Sequence, residues 1–437
     1  MPYIVIFCLL LISFITLHYK KGIKLLLLLI PYIFILAGGL SRQKFSLILE
    51  PSDLVLVITL VALILFCLYK KRKYLIVLNF VDLFLLSYIF LLIILPLSFH
   101  IQNNINQKLF EYFIPIRLYV TYKLFYLLIC EYLYHNEGFL KKKEILYIFF
   151  IPGIISGIVG LINIMPYNIP YVSMQIKTLF PVPQESWYRL WGTNGGTNAA
   201  GNLFSVLFLI SIYYYLKIDT SKKHLLLFSI FYFVCVLLSG SFSSLGGLII
   251  SIGIYTLFYV NIQWKKFLIF LITSMFLGLI IFNISEIGNR IVKRFQEQFY
   301  YYGTLNLVPN NLKDRAYWAE RQLKLLFKDN HILWGMGPGG MAHSKYRYVL
   351  DTGSESFYME LIHNYGILSI LWFMILFIII IRKTNQAINE NDFPNIFFAV
   401  IIFYLVAGIA NLTLHYGALT ELFGFMLSLL AHKKSLC

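Results

Sequence analysis

"SESFYMELIHNYGILSILWFMILFIIIIRK" runs from Ser354 to Lys383 and changes character twice. It opens polar and acidic, becomes an uninterrupted apolar run, and stops at Arg382 and Lys383. An apolar run of about 17–25 residues is what the hydrocarbon core of a bilayer requires of a crossing helix. The run at 358–381 meets that requirement, and basic residues directly beyond it assign its far end to the cytoplasmic side. Glu355, Glu360 and His363 then stand at the opposite lip, where an uncompensated charge is expensive. What those groups do there is the question the rest of the chain has to answer.

The same pattern recurs throughout. Of 437 residues 59% are hydrophobic and only 13% charged, with mean hydropathy +0.76, which places the chain outside the range of soluble domains. Further apolar runs lie at 2–17, 25–40, 53–69, 80–99, 113–134, 145–163, 199–216, 225–240, 242–262, 267–284, 395–412 and 416–431. The sequence therefore predicts an all-α polytopic membrane protein with about 12–13 transmembrane helices.

The net charge of +16 is a matter of topology rather than of nucleic-acid binding. Its basic residues sit in short tufts such as Lys70–Lys73, Lys141–Lys143 and Lys433/Lys434, and every second connection carries one. Those connections are assigned to the cytoplasm, and the intervening ones to the outside. Two outer connections are long, 165–198 and 285–356. The expected division is N-terminal helices over 1–163, core helices with the first outer loop over 164–284, a large outer loop carrying an interfacial helix over 285–356, and C-terminal helices over 357–437. Four of the cysteines fall inside apolar runs and Cys437 is terminal, so neither a disulfide framework nor a Cys/His metal spacing is expected. The first apolar run lacks the basic leader and cleavage site of a signal peptide.

"WYRLWGTNGGTNAAGNLF", Trp187 to Phe204, closes the first long loop. Its tryptophans suit a headgroup belt, Asn198 offers a donor and an acceptor, and Arg189 is a candidate cation facing a cavity between spans. In the second loop Arg290, Lys293 and Arg294 fall close together. "NNLKDRAYWAERQLKLLFKDNHILWGMGPGG" follows. At roughly 100° per residue, Ala316, Ala319, Leu323, Leu326 and Phe327 form one apolar arc, the mark of a helix lying on the membrane surface. Arg321, Lys324 and Lys328 project on nearly the opposite side, and Arg315 at the edge of the arc points toward whatever the arc packs on. Beyond the glycines, Thr352 and Glu355 have capping-box spacing, a wholly structural reason for that glutamate. A general base or a substrate-hydroxyl acceptor is the alternative, compatible with the first. Glu360 and His363 are spaced to pair as i, i+3 neighbours.

Taken in order, "RLWGTNGGTNAAGN", "LSGSFSSLGGL", "DRAYWAERQLKLLFKDNHILWGMGPGG" and "ESFYMELIHNYGILSIL" resemble the O-antigen polymerase (Wzy) and ligase (WaaL) superfamily of bacterial polysaccharide assembly. The resemblance covers roughly the C-terminal two-thirds of the chain. It implies an activity-bearing arginine at Arg315, within "DRAYW". Ligases of that superfamily carry His-Asn where this chain has Glu355-Ser356, so the polymerase branch is favoured. Many members have Ser-Arg where this chain has Ser241-Phe242, and Arg189 or Arg117 is the expected substitute.

The implied reaction transfers a growing glycan from undecaprenyl pyrophosphate to an incoming lipid-linked repeat unit on the outer face of the inner membrane. Partners implied are those lipid-linked oligosaccharides, membrane lipids and a chain-length regulator protein. Arg315, Arg189, Arg290, Arg294 and Arg117 are candidates for the pyrophosphate, Glu355 for the base, and Asn198, Tyr358 and His343 for further substrate contacts. Neither long loop contains an Asp-x-Asp pair, so a metal-independent, cofactor-free transferase is expected. The alternatives are a ligase, which differs in its acceptor, and a transporter of lipid-linked sugars, for which Asp82 and Lys123 within spans are the supporting residues.

Overall fold

The computed structural model describes residues 22–37, 51–73, 78–91, 113–135, 142–164, 189–190, 193, 197–215, 223–258, 300–301, 304–305, 310–328, 330–336, 356–387, 393–409 and 417–431, with isolated positions between 272 and 299. The architecture is all-α; one two-residue antiparallel ladder, β1 (Tyr300–Tyr301) with β2 (Thr304–Leu305), interrupts it. The helices are α1 (Gly22–Ala37), α2 (Pro51–Tyr69), α3 (Phe80–Ile89), α4 (Phe113–His135), α5 (Lys142–Ile164), α6 (Thr197–Tyr213), α7 (Lys223–Ser239) and α8 (Phe242–Phe258). After the ladder come α9 (Asn310–Lys328), α10 (Phe357–Tyr365), α11 (Ile367–Ala387), α12 (Phe393–Gly408) and α13 (Gly417–Ala431).

Two helices act as hubs. α4 is surrounded by α1, α2, α3 and α13, and α6 by α5, α7, α8 and α12. From Val120 to Glu131 every residue of α4 is buried, as is α6 from Ala199 to Tyr213. Close approach is set by small residues. A Cβ on Gly424 of α13 would lie 2.8 Å from Thr121 Cγ2 and 3.0 Å from the Tyr122 amide of α4. The interior is not uniformly apolar. Ser205, Ser211, Ser229 and Ser251 are all buried, and each turns its hydroxyl onto a carbonyl three or four residues back in its own helix. A hydroxyl bonded this way carries no unpaired polar atom into the core.

The outward faces invert the usual soluble pattern. Val61, Leu65 and Leu68 on α2, Ile151, Ile155 and Ile158 on α5, and Leu371, Ile375 and Ile378 on α11 are exposed. Each set is spaced i, i+4, i+7 and so forms one stripe. Among the described residues no helix is long and apolar enough to cross a membrane; the described side chains of α2 begin at Val55, and those of α11 end at Arg382.

The run at 358–381 is not one helix. Gly366, at φ +80 and ψ 173, separates α10 from α11, a conformation that glycine alone adopts readily. Its amide closes α10 on the Ile362 carbonyl at 2.8 Å, and its own carbonyl accepts the Ser369 hydroxyl at 2.7 Å at the start of α11. The segment after α9 is sewn into this break. Ile367 N donates to Ile332 O at 2.9 Å, and Met336 N donates to His363 O at 2.7 Å. The apolar run therefore begins as a separate short helix, and the long one starts at Ile367. The expected spans at 2–17 and 267–284 lie outside the described residues, apart from isolated positions in the second.

Candidate functional site

Three helix ends meet at one corner. α7 stops at Ser239 because Gly240 takes the left-handed region at φ +58, a frequent helix stop. Ser241 then opens α8: its Oγ accepts the Ser244 amide at 3.4 Å and lies 2.7 Å from Ser244 Oγ. Ser244 Oγ donates in turn to Asn202 Oδ1 of α6 at 2.7 Å. The first turns of α6 and α7's end are in close contact, since a Cβ on Gly201 would fall 2.7 Å from Ser239 Oγ and 2.8 Å from Ser244 Oγ. The positive ends of α6 and α8 thus converge where α7 presents its last carbonyls.

Arg189 lies across this corner. Its Nε donates to the Ser239 carbonyl at 2.8 Å, and Nη2 donates to the Gly240 carbonyl at 3.1 Å. The neighbouring Leu190 amide anchors the segment on the Leu238 carbonyl at 3.0 Å. Carbonyls at a helix C-terminus lack intrahelical partners, so the guanidinium satisfies two of them and offsets their partial negative charge. Phe242, the first residue of α8, packs its ring edge-on against Phe299 with centroids 5.5 Å apart. Position 242 thus makes an aromatic contact, and the Arg189 guanidinium reaches the Gly240 carbonyl two residues before it. Asn198 is half-buried in the first turn of α6.

A second cluster joins α9 to α10. Leu326 of α9, fully buried, packs with Met336, Met359 and Ile362, and Ala319 and Leu323 lean on them. Arg321, Lys324 and Lys328 are exposed, as the projection requires. Two members of the expected apolar arc differ: Ala316 is exposed and Phe327 is 61% exposed. The buried arc is instead centred on Gln322, and the reason lies in the partner. α9 packs on α10 and the loop after it, so the residues facing those elements are the ones covered. Arg315, half-buried, is seven residues from Gln322 and about 20° from it around the axis. It therefore lies on this inner side.

In α10, His363 is buried, with Nδ1 at 3.3 Å from Asn364 Oδ1. Burial lowers its pKa to about 4, against smaller upward effects of the Asn364 contact and of Glu360, while His331 adds to the lowering. The expected pairing with Glu360 is thus an electrostatic influence, and the hydrogen bond goes to Asn364. Tyr358 donates its hydroxyl to the Leu405 carbonyl at 2.7 Å, and Ser356 Oγ reaches the Gly408 carbonyl at 3.4 Å. Both contacts tie the start of α10 to the end of α12, which also packs on α8. α12 thereby links the two clusters.

Arg117 is buried on α4, away from either loop segment in sequence. Farther along that helix, Lys123 Nζ pairs with Asp82 Oδ1 of α3 at 2.9 Å, and Glu131 receives Arg72 Nε at 2.8 Å. Asp82 also completes a capping box with Asn79 at the start of α3. Glu355, Arg290, Arg294 and His343 lie outside the described residues.

Sequence reasoning missed Gln322 and the Ser241/Ser244/Asn202 chain. The serines had a signal in the Ser-x-x-Ser spacing at a helix start, a capping arrangement. Gln322 gives no such signal, because a polar residue within an apolar arc does not announce its burial. The chain matches no protein-family model and no curated protein.

Proposed function

We propose that this chain is a membrane-embedded glycosyltransferase of the polysaccharide-polymerase kind. It moves a growing glycan from undecaprenyl pyrophosphate to an incoming lipid-linked repeat unit on the outer face of the bacterial inner membrane. Three features support the membrane setting: the exposed apolar stripes, the interior serines bonded within their own helices, and the basic tufts at alternate connections.

The observation that carries the reading is the Arg189 corner, where a guanidinium is fixed on the last carbonyls of α7, beside the packed starts of α6 and α8. Such a place favours a phosphate-bearing anion. In the transfer, the acceptor hydroxyl oxygen attacks the anomeric carbon, the bond from that carbon to the diphosphate oxygen breaks, and its electron pair leaves on the diphosphate. Negative charge grows on the leaving group, and cations held in a water-poor site stabilise it more than the ground state. Arg315 is assigned to the same leaving group and Glu355 to the proton lost by the attacking hydroxyl.

The transporter reading draws less support. Asp82 and Lys123 are paired with each other, and Asp82 also caps α3, so both charges have a structural use.

Deletion and complementation separate the readings. Loss of a polymerase leaves single repeat units on the surface lipid, loss of a ligase strands polymer on the carrier, and loss of a transporter leaves repeats facing the cytoplasm. Arg189→Lys keeps the charge and loses the planar fork. We expect it to reach the membrane and to shorten or abolish the polymer; full-length polymer from that variant refutes the anion role.

A further inference from the structure

Two buried acceptor atoms, one on α9 and one on α10, are not used by any contact among the described residues. Gln322 is 2% exposed and His363 is 5% exposed, yet Gln322 Oε1 and His363 Nε2 have no hydrogen-bond partner among the described residues. With Nδ1–H donating to Asn364 Oδ1, His363 Nε2 carries a lone pair. A carbonyl oxygen and an imidazole lone pair are both acceptors, so they cannot satisfy each other. Leaving such atoms buried and unbonded costs stability, and apolar side chains of similar shape would avoid that cost.

The surroundings narrow what would satisfy them. Leu326, one turn beyond Gln322, packs with Met359 and Ile362, which flank His363 along α10. This apolar setting disfavours an ion; two neutral acceptors call for a neutral donor. Trp318, half-buried one turn before Gln322, adds an indole to the same flank of α9.

We propose that the α9–α10 interface binds two hydroxyls of a carbohydrate ligand, one donating to Gln322 Oε1 and the other to His363 Nε2. Resting on the polymerase reading, that ligand is the incoming repeat unit, and the two residues position its sugar without joining the bond change. His363, kept neutral by burial, serves as an acceptor across the physiological range.

The test uses the full-length protein in lipid nanodiscs and lipid-linked repeat units extracted from a strain deleted for this chain. The variants are Gln322→Met and His363→Leu, which remove the unbonded atoms and keep bulk. We expect each to fold with an unchanged or higher Tm and to raise the KM for the repeat unit roughly tenfold, the loss of one hydrogen bond, with kcat nearly unchanged. A water-soluble oligosaccharide released from the repeat unit is titrated separately by tryptophan fluorescence. Wild-type protein that binds it while both variants bind at least several-fold more weakly supports the site, even where no polymer forms and the polymerase reading fails. Wild-type protein that polymerises while both variants keep its KM and its oligosaccharide affinity overturns the site alone. So does the double variant Gln322→Met/His363→Leu gaining stability with affinity intact, because a buried water would then be the only partner lost.

Discussion

Replacing Gly366 with alanine should dislodge the loop that follows α9, and the structure sets the size of the effect. A Cβ at Gly366 meets the Leu333 backbone carbonyl and lies 2.5 Å from the Trp334 amide nitrogen, closer than real Cβ atoms come. Those atoms are main chain and cannot rotate aside. Their own position is fixed because Gly335, at φ +72, is in turn pressed against the Asn364–Tyr365 peptide. Two penalties combine: a φ and ψ that an L-residue avoids, about 1–3 kcal/mol, and overpacking against rigid backbone, about 1–3 kcal/mol. The control is Gly246→Ala in α8, where a Cβ finds nothing within 4 Å. There a helical alanine should be neutral or stabilising by about 0.5–1 kcal/mol. Thermal unfolding in detergent, followed by a thiol-reactive dye on the buried cysteines, compares the two. Limited proteolysis, read at the loop after Lys328, reports whether α9 has come loose. Equal Tm and equal protection for the two variants would refute the interlocked-glycine account.

Lys123→Met should cost about 3–5 kcal/mol by stranding Asp82 in the interior, and adding Asp82→Asn should recover most of it, checked by Tm of the purified variants. The His363 pKa of about 4 lies below its unfolded value of 6.5. Its contribution to stability is therefore complete above pH 6.5 and is lost as pH falls toward 4, by on the order of 3 kcal/mol at most. Unfolding midpoints measured from pH 7.5 to 4 should show this slope, with His331 and Glu360 in the background, and His363→Leu should flatten it. Glu355→Gln can still close a capping box and cannot take a proton, so polymer should be lost while membrane insertion is kept; normal polymer length would make that glutamate structural.

Much of the helical layout was legible because apolar runs are long and their ends are marked by charge. α2, α4, α5 and α7 begin and end within a few residues of the expected runs. The break at Gly366 was not legible. Nothing in "HNYGILSIL" distinguishes a glycine inside a span from one held at positive φ, because the cause is Leu333 and Trp334, some thirty residues earlier. Arg189 was legible as a candidate cation but its corner was not, since Ser239 and Gly240 come together with it only when α6, α7 and α8 pack. The pairing of Lys123 with Asp82 likewise depends on which of several buried helices become neighbours, and spacing within one helix does not report that.

The ion pairs along α4 carry an implication for how the chain is made. Under the membrane reading, a lone helix bearing Arg117, Lys123 and Glu131 is a poor candidate for partitioning into lipid, at about 2.5–3.5 kcal/mol for a central charge. The counter-charges of two of the three, Asp82 and Arg72, belong to segments synthesised earlier. On that reading both counter-charges precede α4 in the order of synthesis, so the sequence order alone supplies its neutralising neighbours first.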